Sequence, residues 1–155
     1  MSDMRELAVA ARDERVRLRY YAKVKRFEDD ECWWWCGAIA GKGHGRFWVA
    51  RDWVVIAHRL GWAIAHPDEP VPELIGHECD NPLCQRPDHL AASDRFRNRA
   101  EWAARRHRPG SPLRDIRGSH GRARAIRDAL VMGQTPHQIA AQGLSPVDRD
   151  QLPLW

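Results

Sequence analysis

A chain of 155 residues holds one domain, or one domain with a small appendage. With 43% apolar and 30% charged residues it has a globular composition, and its longest clean apolar run, Trp53 to Ala57, is far short of the ~20 residues that span a bilayer. The start, Met1-Ser2-Asp3-Met4-Arg5-Glu6, is charged with no apolar stretch behind it, so no secretory signal is visible and the expected setting is intracellular, cytoplasmic and without a membrane partner.

Twenty-five Lys and Arg face 21 Asp and Glu, a net of +4, but they are unevenly spread. From Arg95 to Arg127 there are eleven Arg against two acids, Glu101 and Asp115, so that block carries +9. Arg forks bidentately onto phosphate oxygens. Such a block is either a solvated tail or a nucleic-acid footprint. Four Cys with no export signal point to metal rather than disulfides.

Residues 4–25 carry helix formers without Gly or Pro, which predicts a helix with Leu7, Ala11, Leu18 and Val24 loosely on one face. Phe27 to Glu31 reads as a polar turn. Cys32-Trp33-Trp34-Trp35-Cys36 predicts a short strand whose Trp run suits core and hairpin packing better than base stacking. Gly37, Gly41, Gly43 and Gly45 suit a hairpin connection, and no Gly-Lys-Ser/Thr follows them to make a phosphate loop. Arg46 to Ala50 and Trp53 to Ala57 predict strands. His58 to His66 predicts a helix packed through Leu60, Trp62 and Ile64 and ended by Pro67, Pro70 and Pro72.

Leu74 to His77 predicts a short strand, Glu78 to Asp88 a tight loop, and His89 to Arg106 a helix with Leu90, Phe96, Ala100 and Ala104 as its apolar positions. Residues 106–119 look like an exposed linker, with Pro109, Gly110, Pro112 and Gly118. Arg122 to Met132 predicts a helix, and Pro136 to Gln142 a short one capped by Thr135. Ser145-Pro146 starts a third piece. The expected organisation is an N-terminal helical segment at 1–26, a central domain at 27–106, a basic linker at 107–121 and a small helical tail at 122–155.

The chemistry concentrates in His77 to His89, where His77, Cys79, Cys84 and His89 fall within thirteen residues. Thiolates and imidazoles are what tetrahedral zinc takes. Cys79, Cys84 and His89 can converge on one ion, with Cys32 or Cys36 as the fourth ligand. A closed site of three Cys and one His would be structural, and much of the stability would depend on it. The bland alternative is small buried core thiols.

His77 is then left over. It ends a strand, and the pleat turns its side chain to the face opposite the ligands, which makes it a candidate base. A lone His is more often structural, but Asn98 stands nine residues into the helix opened by His89, a little over two turns along. A carboxamide oxygen there suits a hard cation such as magnesium.

The spacing His-x-Cys-x4-Cys-x4-His-x8-Asn, here His77, Cys79, Cys84, His89 and Asn98, resembles that of the His-Cys box homing endonucleases and of the related HNH nucleases of phages. Cys32-Trp33-Trp34-Trp35, Gly43-His44-Gly45-Arg46-Phe47, Ala57-His58-Arg59 and the run His77 to Leu90 are similar to further segments of that family. The resemblance covers about residues 20–102. It implies an α+β fold: a small ββα-metal (His-Me finger) core with a structural zinc, flanked by an N-terminal helix and a helical C-terminal tail.

The resemblance also implies a function, a bacterial or phage-type endonuclease that hydrolyses phosphodiester bonds of double-stranded DNA and leaves 5′-phosphate and 3′-hydroxyl ends. His77 would be the general base, Asn98 the ligand of a single catalytic Mg2+ or Mn2+, and Arg46 the group that steadies phosphate charge. Cys32, Cys79, Cys84 and His89 would hold the zinc. Arg95, Arg97, Arg99, Arg105, Arg106 and Arg108 would meet the DNA backbone.

Two positions depart from the family pattern. Gly76 stands where many HNH nucleases carry a second metal ligand, an Asp. Cys36 is an extra thiol that would make a four-Cys site if it displaced His89. Competing readings are a non-catalytic zinc-stabilised DNA-binding module and a zinc-ribbon adaptor. Arg122 to Ser145 resembles the first two helices of a helix-turn-helix whose third could only be Pro146 to Gln151, with Arg149 to read bases. It is either a degenerate helix-turn-helix or a packing tail, and a homodimer formed through it would supply a second active site.

Overall fold

Asp13 makes the first break in the chain. Its carboxylate accepts the amide N–H of Arg15 at 2.8 Å and of Val16 at 3.4 Å, which caps a new helix. The single helix expected over 4–25 is therefore two, α1 at Ser2–Ala10 and α2 at Glu14–Tyr21. Leu7, Ala11, Val16 and Tyr20 are buried, whereas Leu18 is exposed. The computed structural model describes residues 2–27 and 32–151. Most of the turn expected at Phe27–Glu31 lies outside the described residues.

β1, Val24–Lys25, pairs antiparallel with β2, Trp34–Trp35. Cys32 and Cys36 flank this short strand instead of belonging to it. Trp34 and Trp35 are buried, as the core reading of the Trp run expected. Gly37 and Gly45 lie flat against the Trp35 indole: a Cβ would come within 2.7 Å and 2.6 Å of it. Those glycines make room for an aromatic ring.

β3, Arg46–Ala50, and β4, Trp53–Ile56, form an antiparallel hairpin that runs straight into α3, Ala57–Ala65. Gly61 of α3 lies so close to the Tyr20 hydroxyl that a Cβ has no room there. That hydroxyl donates to Gln85 Oε1 at 2.8 Å, a buried bond that ties α2 and α3 to the loop after the next strand.

β5, Leu74–His77, pairs antiparallel with β6, Leu90–Ser93, in the register Gly76 opposite Ala91 and His77 opposite Leu90. α4 follows at Arg95–Arg105, its first turn capped by the Asp94 carboxylate on the Arg97 amide at 2.8 Å. This corrects the helix expected from His89. His89 closes a 3-10 turn at Pro87–His89, and the next four residues satisfy their backbone against β5. Asn98 is thus the fourth residue of its helix. Nothing on α4 is buried, and Phe96 is 91% exposed, so its apolar positions are not a core face.

Residues 106–119 are not an exposed linker. They turn at Pro112–Arg114, where the Ser111 hydroxyl caps Leu113. Arg114 pairs with Asp148 at 2.6 Å, and Asp115 with Arg117 at 2.7 Å and Arg122 at 3.8 Å. α5, Gly118–Val131, sends Ala123, Ile126 and Leu130 into the same apolar cluster as Trp35 and Leu60. α6, Pro136–Ala141, packs on α5, and α7, Pro146–Gln151, carries the buried Asp148. The segment from 122 on therefore shares the main core through α5.

The result is a small α+β protein. The described strands pair as three two-stranded antiparallel sheets, and no described helix is long and apolar enough to cross a membrane.

Candidate metal centre and cleft

The segment carrying Cys32 lies alongside the loop that carries Cys84. Trp35 donates its amide to the Leu83 carbonyl at 3.0 Å, and Gln85 donates to Trp33 at 2.7 Å. Between Cys79 and Asn81 the chain reverses at Asp80, whose φ of 56° is the left-handed turn that Asp tolerates. The Asp80 carboxylate holds Arg105 of α4 at 3.1 Å, so the loop is fastened to the helix.

This folding brings Cys32, Cys79, Cys84 and His89 together, with all four ligand atoms within 4.8 Å of one another. His89 Nδ1 is 3.5 Å from Cys84 Sγ and 3.7 Å from Cys32 Sγ. Zinc bonded tetrahedrally at ~2.3 Å to sulfur and ~2.0–2.1 Å to nitrogen would set such pairs about 3.6 Å apart. The cluster could hold a metal ion such as zinc.

Cys36 lies outside it, with its Sγ 3.6 Å from the Trp34 carbonyl oxygen. Of the two candidates for the fourth ligand, the fold brings up Cys32. Hydrogen bonds from the Cys79 and Cys84 thiols pull the Cys32 thiol well below its ordinary range. Cys79 and Cys84 are pushed up in return, chiefly by their bonds to Cys32. Packed this closely, the three sulfurs ionise together only around a cation.

His77 ends β5. Its Nε2 lies 3.0 Å from the Cys84 carbonyl oxygen, which fixes the tautomer with the proton on Nε2 and leaves Nδ1 as a lone pair. Burial, then the neighbouring His44, lowers its pKa to about 4, so the ring is neutral near pH 7.

His77 and Asn98 line one cleft of about 420 Å³, together with Lys42, His44, Arg99 and Arg105. The Asn98 carboxamide oxygen packs against Gly76, 3.3 Å from where a Cβ would stand. A hard cation would find one neutral oxygen donor there, in the same cleft as His77.

Other expected site residues are scattered. Arg46 is not brought to this cleft: it stacks over Trp48 at 5.2 Å and lines a different hollow with Arg19 and Lys23. Of the six Arg expected to meet DNA, Arg95, Arg99, Arg106 and Arg108 are exposed; Arg97 is exposed but paired with Glu101 at 2.9 Å; Arg105 is committed to Asp80. Arg114, Arg117 and Arg122 of the basic block hold the fold together.

Sequence reasoning missed Lys42, one of the cleft's cations, and the two imidazoles beside His77. The rings of His44 and His58 centre 5.7 Å and 4.5 Å from that of His77. Both sit in segments, Gly43 to Phe47 and Ala57 to Arg59, that carried the family resemblance without a role attached. Their convergence depends on contacts remote in sequence.

No protein-family model matches the chain, and no solved structure matches it. It is similar to two proteins of Escherichia phage T7. Protein 2.8 is 39% identical over 61 residues, which is 39% of this chain and 40% of that one. Protein 7.7 is 34% identical over 61 residues, 39% of this chain and 46% of the relative. The chain thus spans less than half the length of each curated relative that it matches.

Proposed function

We propose that the chain is a metal-dependent DNA endonuclease of the His-Me finger type, which hydrolyses phosphodiester bonds to leave 5′-phosphate and 3′-hydroxyl ends. The observation that carries this reading is the setting of His77. Its Nε2 is committed to the Cys84 carbonyl, its Nδ1 is left as a lone pair, and it shares a cleft with Asn98. The order β5, β6, α4 is the strand–strand–helix sequence that such a finger requires.

Each side chain then has a task. His77 Nδ1 takes the proton of the attacking water, and burial holds it in the neutral form that does so. Lys42 and Arg99 place positive charge where a phosphate would enter. Asn98 would hold magnesium or manganese, which supplies charge stabilisation at the scissile phosphate and the leaving 3′ oxygen. The sulfur cage would hold a structural zinc that fixes the loop between β5 and β6. The exposed Arg95, Arg99, Arg106 and Arg108 would run along the backbone of double-stranded DNA. Arg46 has no part in this arrangement.

The test is plasmid cleavage in magnesium or manganese by the wild type, His77→Ala and Asn98→Ala, with bound zinc measured in each. The wild type cuts, and His77→Ala loses roughly 10²–10⁴-fold in rate, the usual range for a general base, while keeping its zinc. Equal cutting by wild type and His77→Ala, or none by either, overturns the catalytic reading. DNA binding without cutting would leave a zinc-stabilised DNA-binding module.

A further inference from the structure

Three imidazoles meet beside the cleft that His44 and His77 line, and the proposed hydrolysis uses only one of them. His44 comes from the glycine-rich connection before β3, His58 from the first turn of α3, and His77 from the end of β5. The Ala57 amide donates to the Gly45 carbonyl at 2.8 Å, which lays that connection against the start of α3. The ring centres are 4.5 Å (His58–His77), 5.3 Å (His44–His58) and 5.7 Å (His44–His77) apart. One ring nitrogen from each lies within 4.8 Å of the others. Three imidazoles bound tetrahedrally to one zinc at ~2.0–2.1 Å place their ring centres about 5 Å apart.

The hydrogen bonding points the same way. A metal-bound imidazole nearly always gives its other N–H to a carbonyl or carboxylate, which fixes the ring and aims the lone pair. His77 has that bond to the Cys84 carbonyl through Nε2. The His58 ring has the Ile75 backbone as a hydrogen-bond partner. His58 is only 6% exposed, and its Nδ1 finds no hydrogen-bond partner among the described residues. A buried nitrogen without a partner calls for an explanation. A ligand held by all three rings supplies one.

We propose that His44, His58 and His77 form a second metal site, separate from the sulfur cage, that takes a borderline divalent ion of the zinc, cobalt or nickel class. Three neutral nitrogens and no carboxylate select such ions over magnesium or calcium. His44 and His77 line the cleft, so the fourth position faces solvent and takes water. The site uses the His77 lone pair. On the nuclease reading, and resting on it, an ion there removes the base, so zinc-class ions inhibit a magnesium-supported reaction.

Equilibrium dialysis of the full chain against zinc tests the site without any activity. The wild type binds about two ions: one held tightly, and one exchangeable. His44→Gln and His58→Ala each weaken the exchangeable ion at least tenfold and keep the tight one. His44 is only half-buried, so its variant stands even if His58→Ala does not fold. With cobalt, the exchangeable ion lacks the near-ultraviolet sulfur-to-metal band that the cage ion gives. One ion per chain at millimolar zinc overturns the proposal, as does a second ion indifferent to His44→Gln or one showing the sulfur band.

The inhibition is read separately, as the zinc concentration that halves plasmid cutting at saturating magnesium. His44→Gln raises it at least tenfold, and an unchanged value overturns the inhibitory role. If the wild type never cuts, the nuclease reading fails while the dialysis result still decides the site.

Discussion

The Cys84 carbonyl oxygen lies 3.0 Å from His77 Nε2, so the residue whose sulfur joins the metal cage also sets which nitrogen of the imidazole stays free. The loop between β5 and β6 thereby couples a scaffold to a chemical group. Whatever moves Cys84 moves the His77 ring.

The coupling gives a first expected outcome. Cys84→Ser should lose the tightly bound ion and, with it, the order of the loop and any cutting. A structural zinc in a small domain is worth on the order of 10 kcal/mol of folding free energy. Cys36→Ser removes a thiol that lies outside the cage and should keep about one tight ion per chain. Metal analysis of the two purified variants decides this. Zinc lost from Cys36→Ser and kept by Cys84→Ser would place the fourth ligand wrongly.

The acid limb of any cutting activity should lie far below that of an ordinary histidine. A general base works in its neutral form. A free imidazole titrates near 6.5, and burial with a neighbouring imidazole brings His77 to about 4. Lowering the pH from 7.5 to 5.5 therefore leaves His77 neutral, and the rate should hold until the pH nears about 4. An unshifted base would lose roughly tenfold over the same span. Initial rates at pH 7.5, 6.5 and 5.5, with bound zinc measured at each, decide between the two.

How much of this was legible beforehand depends on how local each signal is. Leu74 to His77 reads as a strand because it is a short apolar run bounded by proline and a loop, and the candidate metal ligands stand out because their spacing is a property of the chain itself. Leu90 to Ser93 was misread as helix: Leu-Ala-Ala suits a helix, and only pairing with β5 makes it a strand. The linker was misread because Arg114 finds Asp148 34 positions away, which no local composition reveals. Arg46 was placed by its neighbours in sequence, yet β3 aims it at Trp48. His44 and His58 carry no spacing relative to His77, so only the fold brings the three together.

The same distinction separates two kinds of arginine in the basic block. Arg99 is exposed at the cleft, whereas Arg117 is bonded to Asp115, which is itself nearly buried. Arg99→Ala should weaken binding to a DNA duplex and reduce the slope of log K against log salt by about 0.9, the value for one phosphate contact. Arg117→Ala should leave that slope alone and lower the denaturation midpoint, because it leaves Asp115 short of a partner. Affinities measured at three salt concentrations, alongside a denaturant melt, separate the two. Equal slopes for Arg99→Ala and wild type would remove α4 from the DNA face.

Gly76 offers a gain instead of a loss. Its missing Cβ would stand 3.3 Å from the Asn98 carboxamide oxygen, so a side chain at this position reaches the same spot as Asn98. A single neutral oxygen is a weak anchor for a hard divalent ion, and an added carboxylate strengthens it. The contact is tight, so Asn98 must shift by a few tenths of an ångström to admit a side chain. Gly76→Asp should lower the manganese concentration that half-saturates cutting, by roughly tenfold if the carboxylate adds ~1.4 kcal/mol to the ion's binding. Gly76→Ala, which imposes the same crowding without the charge, should not lower it. Manganese titrations of both variants read this directly. Equal half-saturation in Gly76→Asp, Gly76→Ala and wild type would mean that the catalytic ion does not sit at Asn98.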